Sequence, residues 1–347
     1  MPAELSELNS ILHSGALAYG RYGKEFEQKL CSYIGVNQLL TVNTYNSAVL
    51  VVLITLGVKN GDEVITSPMA CLASNQPLVM IGAKVVWADV DPSTGTLDPN
   101  SVIKKITSKT KAIFHNHFCG YPGYIDEINM IGRKYGIPVV DDSIEAFGSE
   151  YKGFKLGKND TDVTIFSFQP VRLPTTIEGG AIHFKDKGRF ERSLLVRDSG
   201  IDRLHFRDKL GEISPDCDIS LPGFGATMSE VNSYIGLQQM NDLEMLLEKQ
   251  RMNAVAWSNY IGENFSGISL LNNRNEILPN FWVFGILTDN KPETIIKFRD
   301  RGYYASGVHL RNNCYSVFGE KTEMKGVSEF NNHFLALPSG WWVDVNL

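Results

Sequence analysis

Apolar positions in this chain alternate between short unbroken runs and longer stretches with helical spacing. The short runs fall within 39–42, 61–68 (a turn, a strand and a loop), 82–91 (a strand, then a loop), 111–117, 136–142 (a strand ending in two acids) and 163–168. Runs of that length, rich in Val, Ile and Phe, read as buried strands. Between them the spacing turns helical. Phe26, Leu30 and Tyr33 share one face, with Gly35 placed to close the helix. Further helices are predicted over 48–56, from Met69 to Asn75 onward, over 128–135, and over 240–262, where Met240, Leu243, Leu246 and Leu247 form an apolar stripe. Strands and helices that alternate through short loops predict a mainly parallel sheet. Ligands of such sheets gather at the carboxyl ends of the strands. Beyond residue 240 the pattern gives a strand over 280–287, a helix over 295–302 and a strand running toward 308–309. We therefore expect a large domain over 1–240 and a smaller one over 241–347.

Composition narrows the function classes. The chain has 347 residues, 43% hydrophobic and 21% charged, which is ordinary for a globular protein. A net charge of −6 implies no broad basic surface, so neither nucleic-acid nor membrane binding is expected. No apolar run is long enough to span a bilayer, and the acidic, polar start has no signal-peptide core. Five scattered cysteines form no CxxC pair, which fits a reducing, cytoplasmic setting better than a disulfide framework or a zinc site.

The chemistry concentrates in 162–182. Val163 to Phe168 reads as a strand, 169–176 as a Pro- and Thr-rich loop, and Gly179-Gly180 as tight backbone before a second strand from Ala181. Ser167-Phe168, Thr175-Thr176 and Glu178-Gly179-Gly180 together resemble the lysine loop of the DegT-type (DegT/StrS) sugar aminotransferases. Other segments resemble that family in order and spacing: 12–17, Gly82-Ala-Lys with Asp89-Val-Asp91, Asp141 to Glu145, 194–203 and 221–239. The resemblance runs from about residue 10 to the end. It implies a fold-type I transferase scaffold, a mainly parallel central sheet flanked by helices with a smaller C-terminal α+β domain. It further implies a homodimer with the site at the subunit interface, pyridoxal 5'-phosphate (PLP) or its amine form (PMP), and a nucleotide-linked keto sugar as substrate.

Carried over residue by residue, the resemblance places Tyr45, Asn46 and Ser47 at the turn that holds the cofactor phosphate, where a helix start offers free N–H groups. A plain N-cap would use the same residues. Cys71 falls beside the cofactor ring, where a buried thiol is the alternative. Asp142 is the acid that pairs with the pyridine nitrogen. Glu145 replaces an amide or His near the ring hydroxyl, and Ser167 and Gln169 complete the cofactor contacts. His309 and Arg311 are the substrate candidates, Arg311 being equally suited to a surface salt bridge. His115 and His117 point the same way along one strand, but no acid or cysteine stands at ligand spacing, so no metal is expected.

Arg172 stands at the position of the family's Schiff-base lysine. An arginine stays protonated and cannot supply the free amine that attacks an aldehyde. Three readings follow. The chain could hold PLP or PMP noncovalently, as family dehydratases with His at this position do, with Glu145 or His117 moving protons. It could be a non-catalytic sugar- or anion-binding homologue or partner subunit. It could use another lysine, of which Lys155, Lys158 and Lys185 lie in polar segments.

Overall fold

The computed structural model describes residues 4–345. A seven-stranded sheet forms its centre. From edge to edge it runs Lys84–Trp87, Glu63–Thr66, Thr110–Asn116, Val139–Ser143, Val163–Ser167, Gly180–Phe184 and Leu40–Val42. The first five strands are mutually parallel, and Gly180–Phe184 is antiparallel to both its neighbours. The parallel strands Val139–Ser143 and Val163–Ser167, and the antiparallel Gly180–Phe184 beside them, are buried throughout, as strands covered on both faces must be. Gly180 is needed at its position: a Cβ there would lie 2.8 Å from the Phe166 carbonyl and 3.4 Å from Tyr45 Cα.

The helix Tyr45–Thr55 is buried on nearly all sides and packs into the largest apolar cluster, with Leu40, Val163, Ile165 and Ile182. It begins three residues earlier than its apolar run suggested, because Thr44 caps it by accepting from the Ser47 N–H at 3.0 Å. The helix Arg21–Ile34 buries Phe26, Leu30 and Ile34 and ends on left-handed Gly35, as its spacing predicted. Its amino end has no side-chain cap of its own. Glu230 provides one from a distant segment: its carboxylate accepts from the N–H groups of Gly20 (2.9 Å), Gly23 (3.0 Å) and Tyr22 (3.1 Å).

The expected helix over 240–262 is Leu243–Asn264, separated from Glu230–Gln239 by a short break. It packs Trp257 against a second, three-stranded antiparallel sheet of Ile268–Leu270, Val283–Thr288 and Phe334–Pro338. The strand expected toward 308–309 does not form. Only Ser306 bridges to Ala336, and Val308 takes a left-handed φ of 58°, strained for a β-branched residue. No described helix is long and apolar enough to cross a membrane.

Candidate active site

Asp142 stands at the carboxyl end of its strand, where a doubly wound sheet gathers ligands. Both of its oxygens are engaged. Oδ1 accepts from the Tyr45 hydroxyl and from the Ile144 N–H at 3.2 Å, and Oδ2 accepts from Asn116 Nδ2 at 3.0 Å. Tyr45 is wholly buried, and its hydroxyl also lies 3.4 Å from Ser74 Oγ. Burial, with the Asp142 charge beside it, pushes the phenol well above its ordinary pKa, so Tyr45 remains a donor.

Glu145 is 2% exposed and gathers a second cluster. Its Oε1 faces His309 Nε2 at 2.6 Å and Arg172 Nη2 at 3.4 Å, and its Oε2 accepts from the Cys119 N–H at 2.8 Å. Burial alone would raise its pKa, but His309, Arg172 and the Cys119 N–H outweigh that and hold the carboxyl below its usual range. The Arg172 guanidinium lies 4.3 Å above the Trp282 ring, and Trp282 is pinned by donating Nε1–H to the Val171 carbonyl at 2.9 Å. Nε and Nη1 of Arg172 have no protein partner. Cys71 begins the helix Leu72–Met80, and burial, followed by the Glu145 charge, pushes its thiol up to about 11.

The remaining predicted positions separate into those the fold brings in and those it sends elsewhere. Ser167 and Gln169 bond to each other, Ser167 Oγ to Gln169 Oε1 at 3.3 Å. Ser47 is spent on the turn itself: its N–H goes to Thr44 and its hydroxyl to Asn43 Oδ1 at 2.7 Å, while Asn46 follows Tyr45 in the first turn of the helix. Arg311 is directed outward, to Ser328 Oγ at 3.0 Å and Glu323 at 3.5 Å, and does not join the cluster. His117, the other candidate proton carrier, is buried beside a second acid. It sits 3.5 Å from Asp141, which His115 Nδ1 also reaches at 3.1 Å.

That acid comes from the neighbouring strand, which explains why spacing along one strand missed it. His115, His117 and Asp141 bring ligand atoms within 4.8 Å of one another. His117 Nδ1 accepts the Gly123 N–H at 3.1 Å, which leaves its Nε2, 3.5 Å from Asp141, to carry the proton of the neutral ring. Nε2 of His115 and Nε2 of His117 have no hydrogen-bond partner. Trp282, Cys119 and Asn280, whose Nδ2 holds the Glu145 and Phe147 carbonyls, belong to the site's surroundings and gave no sequence signal.

These residues can be tested against the cofactor that the resemblance implies. The acid for a pyridine nitrogen is occupied by Tyr45, whose ring lies inside the core. The amine nucleophile is replaced by a guanidinium paired with Glu145. The N–H of Ser47 is already capped. The void bounded by Glu145, Ser167, Arg172 and Trp282 measures about 10 Å³. Neither Tyr45, Cys71 nor Asp142 lines this void. In this arrangement the residues do not fit PLP or PMP.

The scaffold itself has well-defined relatives. Sugar aminotransferase CalS13 from Micromonospora echinospora superposes with a TM-score of 0.91 at 26% identity, covering 99% of this chain and 94% of that one. AtS13 from Actinomadura melliaura gives 0.90 at 28%, covering 98% and 92%. Helicobacter pylori PseC, an aminotransferase of pseudoaminic acid biosynthesis, shares the fold at 0.87 and 23%, covering 98% and 91%. The model of the DegT/DnrJ/EryC1/StrS aminotransferase family matches residues 2–338, and the chain belongs to that family.

Proposed function

We propose that this protein is a sugar-binding member of its family that does not transaminate through a lysine-held cofactor. The observation that carries this reading is the Tyr45 hydroxyl on Asp142, which closes the cofactor's ring position from within. Arg172 supports it, since a guanidinium supplies no free amine. The other lysines weighed give no substitute where their pairing is seen: Lys155 pairs with Glu150 and Glu244, and Lys185 with Asp160. Noncovalent use of PLP or PMP, as in a lysine-less dehydratase, would require Tyr45 to leave its buried position.

The ligand in this reading is a sugar, the class suggested by the sugar aminotransferases that the chain resembles, and we take it to be nucleotide-linked. A cavity of about 660 Å³ adjoins Arg172 and is walled by Trp282, Tyr304, Trp341 and Trp342. Its size is that of a small-molecule site, and its aromatic faces suit the apolar face of a sugar ring. The reading includes a division near residue 240, a cytoplasmic setting and a homodimer. Leu204 and Leu210, 88% and 86% exposed on the segment following the helix Lys187–Arg197, are apolar surface available to a second copy.

Titration of the protein's tryptophan fluorescence with UDP-glucose and dTDP-glucose tests the ligand class. A saturable change is expected with at least one of them. Trp342→Ala should weaken it by about tenfold or more, the equivalent of ~1.4 kcal/mol. No saturable change with either sugar, or an unaltered affinity in the variant, would contradict the assignment to this cavity.

A further inference from the structure

A tyrosine buried in a core usually finds a hydrogen-bond partner for its hydroxyl. Tyr45 donates to a carboxylate at the carboxyl end of a central strand, 97 residues away in the chain. The surroundings are those of a ligand site. Asp142, Glu145 and Arg172 all act electrostatically on Cys71, and Ser74 meets the hydroxyl from the helix that follows Cys71.

The geometry is that of a ring held by its edge. A flat six-membered aromatic enters from the first residue of a helix and presents one hydrogen-bond donor to Asp142. Asn116 and the Ile144 N–H hold the carboxylate from its own side, and the phenol completes it. We infer that Tyr45 is an intramolecular occupant of a ring-binding seat. The chain supplies as a side chain what the seat would otherwise take as a ligand: a planar six-membered aromatic carrying a donor opposite its point of entry, as phenols and pyridinium rings do. This inference rests on the non-transaminating reading and adds the identity of what fills the seat.

It predicts chemical rescue. Tyr45→Gly deletes the equivalent of one molecule of p-cresol. The variant should unfold at a temperature several degrees below wild type, and p-cresol should restore the midpoint in a saturable way. Toluene, of the same shape without the donor, should bind at least about tenfold more weakly. Tyr45→Phe keeps the ring and loses the donor. It should fold and respond to neither compound, as should wild type.

Absence of rescue in Tyr45→Gly, or equal rescue by toluene and p-cresol, would overturn the inference. If Tyr45→Gly does not fold alone, refolding in the presence of p-cresol should recover it, and failure to do so counts against the proposal equally. The two failures can be told apart. Uptake of PLP by wild type would sink the proposed function and this inference with it, whereas loss of the p-cresol preference in Tyr45→Gly would sink this inference alone.

Discussion

Asp142→Ala is expected to destabilise this protein by about 3–5 kcal/mol, even though the same position in a cofactor-bound relative would be an acid facing the pyridine ring. Three buried donors lose their acceptor together: the Tyr45 hydroxyl, the Ile144 N–H and Asn116 Nδ2. Each orphaned group forfeits about 1–3 kcal/mol, and the cavity left by the carboxylate adds to it. Tyr45 keeps only a long contact to Ser74, and Asn116 Oδ1 already lacks a partner. Asp142→Asn retains an acceptor for Tyr45 and should lose less than half as much. Urea unfolding measures this as a lower midpoint at unchanged slope. Addition of PLP should leave every midpoint unmoved. If Asp142→Ala unfolds like wild type, the carboxylate does not hold the site together in the way described here.

Glu230→Ala is expected to cost about 2–4 kcal/mol, although the residue lies far from Arg172 in the chain. The helix Arg21–Ile34 starts at Gly20 without a cap of its own, and Glu230 accepts three of its amino-terminal N–H groups while 7% exposed. Charge-assisted bonds to a helix amino end gain further from the helix dipole. That helix carries Phe26, Leu30 and Ile34 into the cluster beneath the 162–182 segment. Glu230→Gln keeps acceptor capacity on one oxygen and should fall between the two. Thermal or urea unfolding of the three proteins decides it, and a Glu230→Ala midpoint within error of wild type would remove the carboxylate as the helix's cap.

The scaffold could be read from the sequence because it follows local rules. Helical spacing at Phe26 and Leu30 with Gly35 behind them, the apolar runs at 136–142 and 163–168, and the alternation of strands and helices each came through as expected. Element ends were less legible. The helix start moved to Tyr45 because Thr44, a local cap, sets it, and the stretch near Val308 stayed irregular beside His309.

Site composition was legible only where it lay in motifs. Asp142, Glu145, Cys71 and Arg172 were placed by the resemblance, and His309 does reach Glu145. Pairings across long sequence separations could not be seen. Tyr45 meets Asp142 across 97 residues and His309 meets Glu145 across 164. Arg311, two residues from His309, turns to Glu323 instead. A substitution of a bulky ring at a helix start is visible in a sequence, but the carboxylate it reaches depends on how strand and helix pack.

The most direct test of the central claim is the absorbance spectrum of wild-type protein titrated with PLP, followed by desalting and borohydride treatment. The account predicts a spectrum equal to the sum of the protein and the free compound, no retention on desalting and no reduced adduct. A protein-induced shift with retained PLP would contradict it, because Tyr45 would have to yield the ring position. An adduct fixed to any lysine would contradict it as well, since an amine nucleophile would then operate in spite of Arg172.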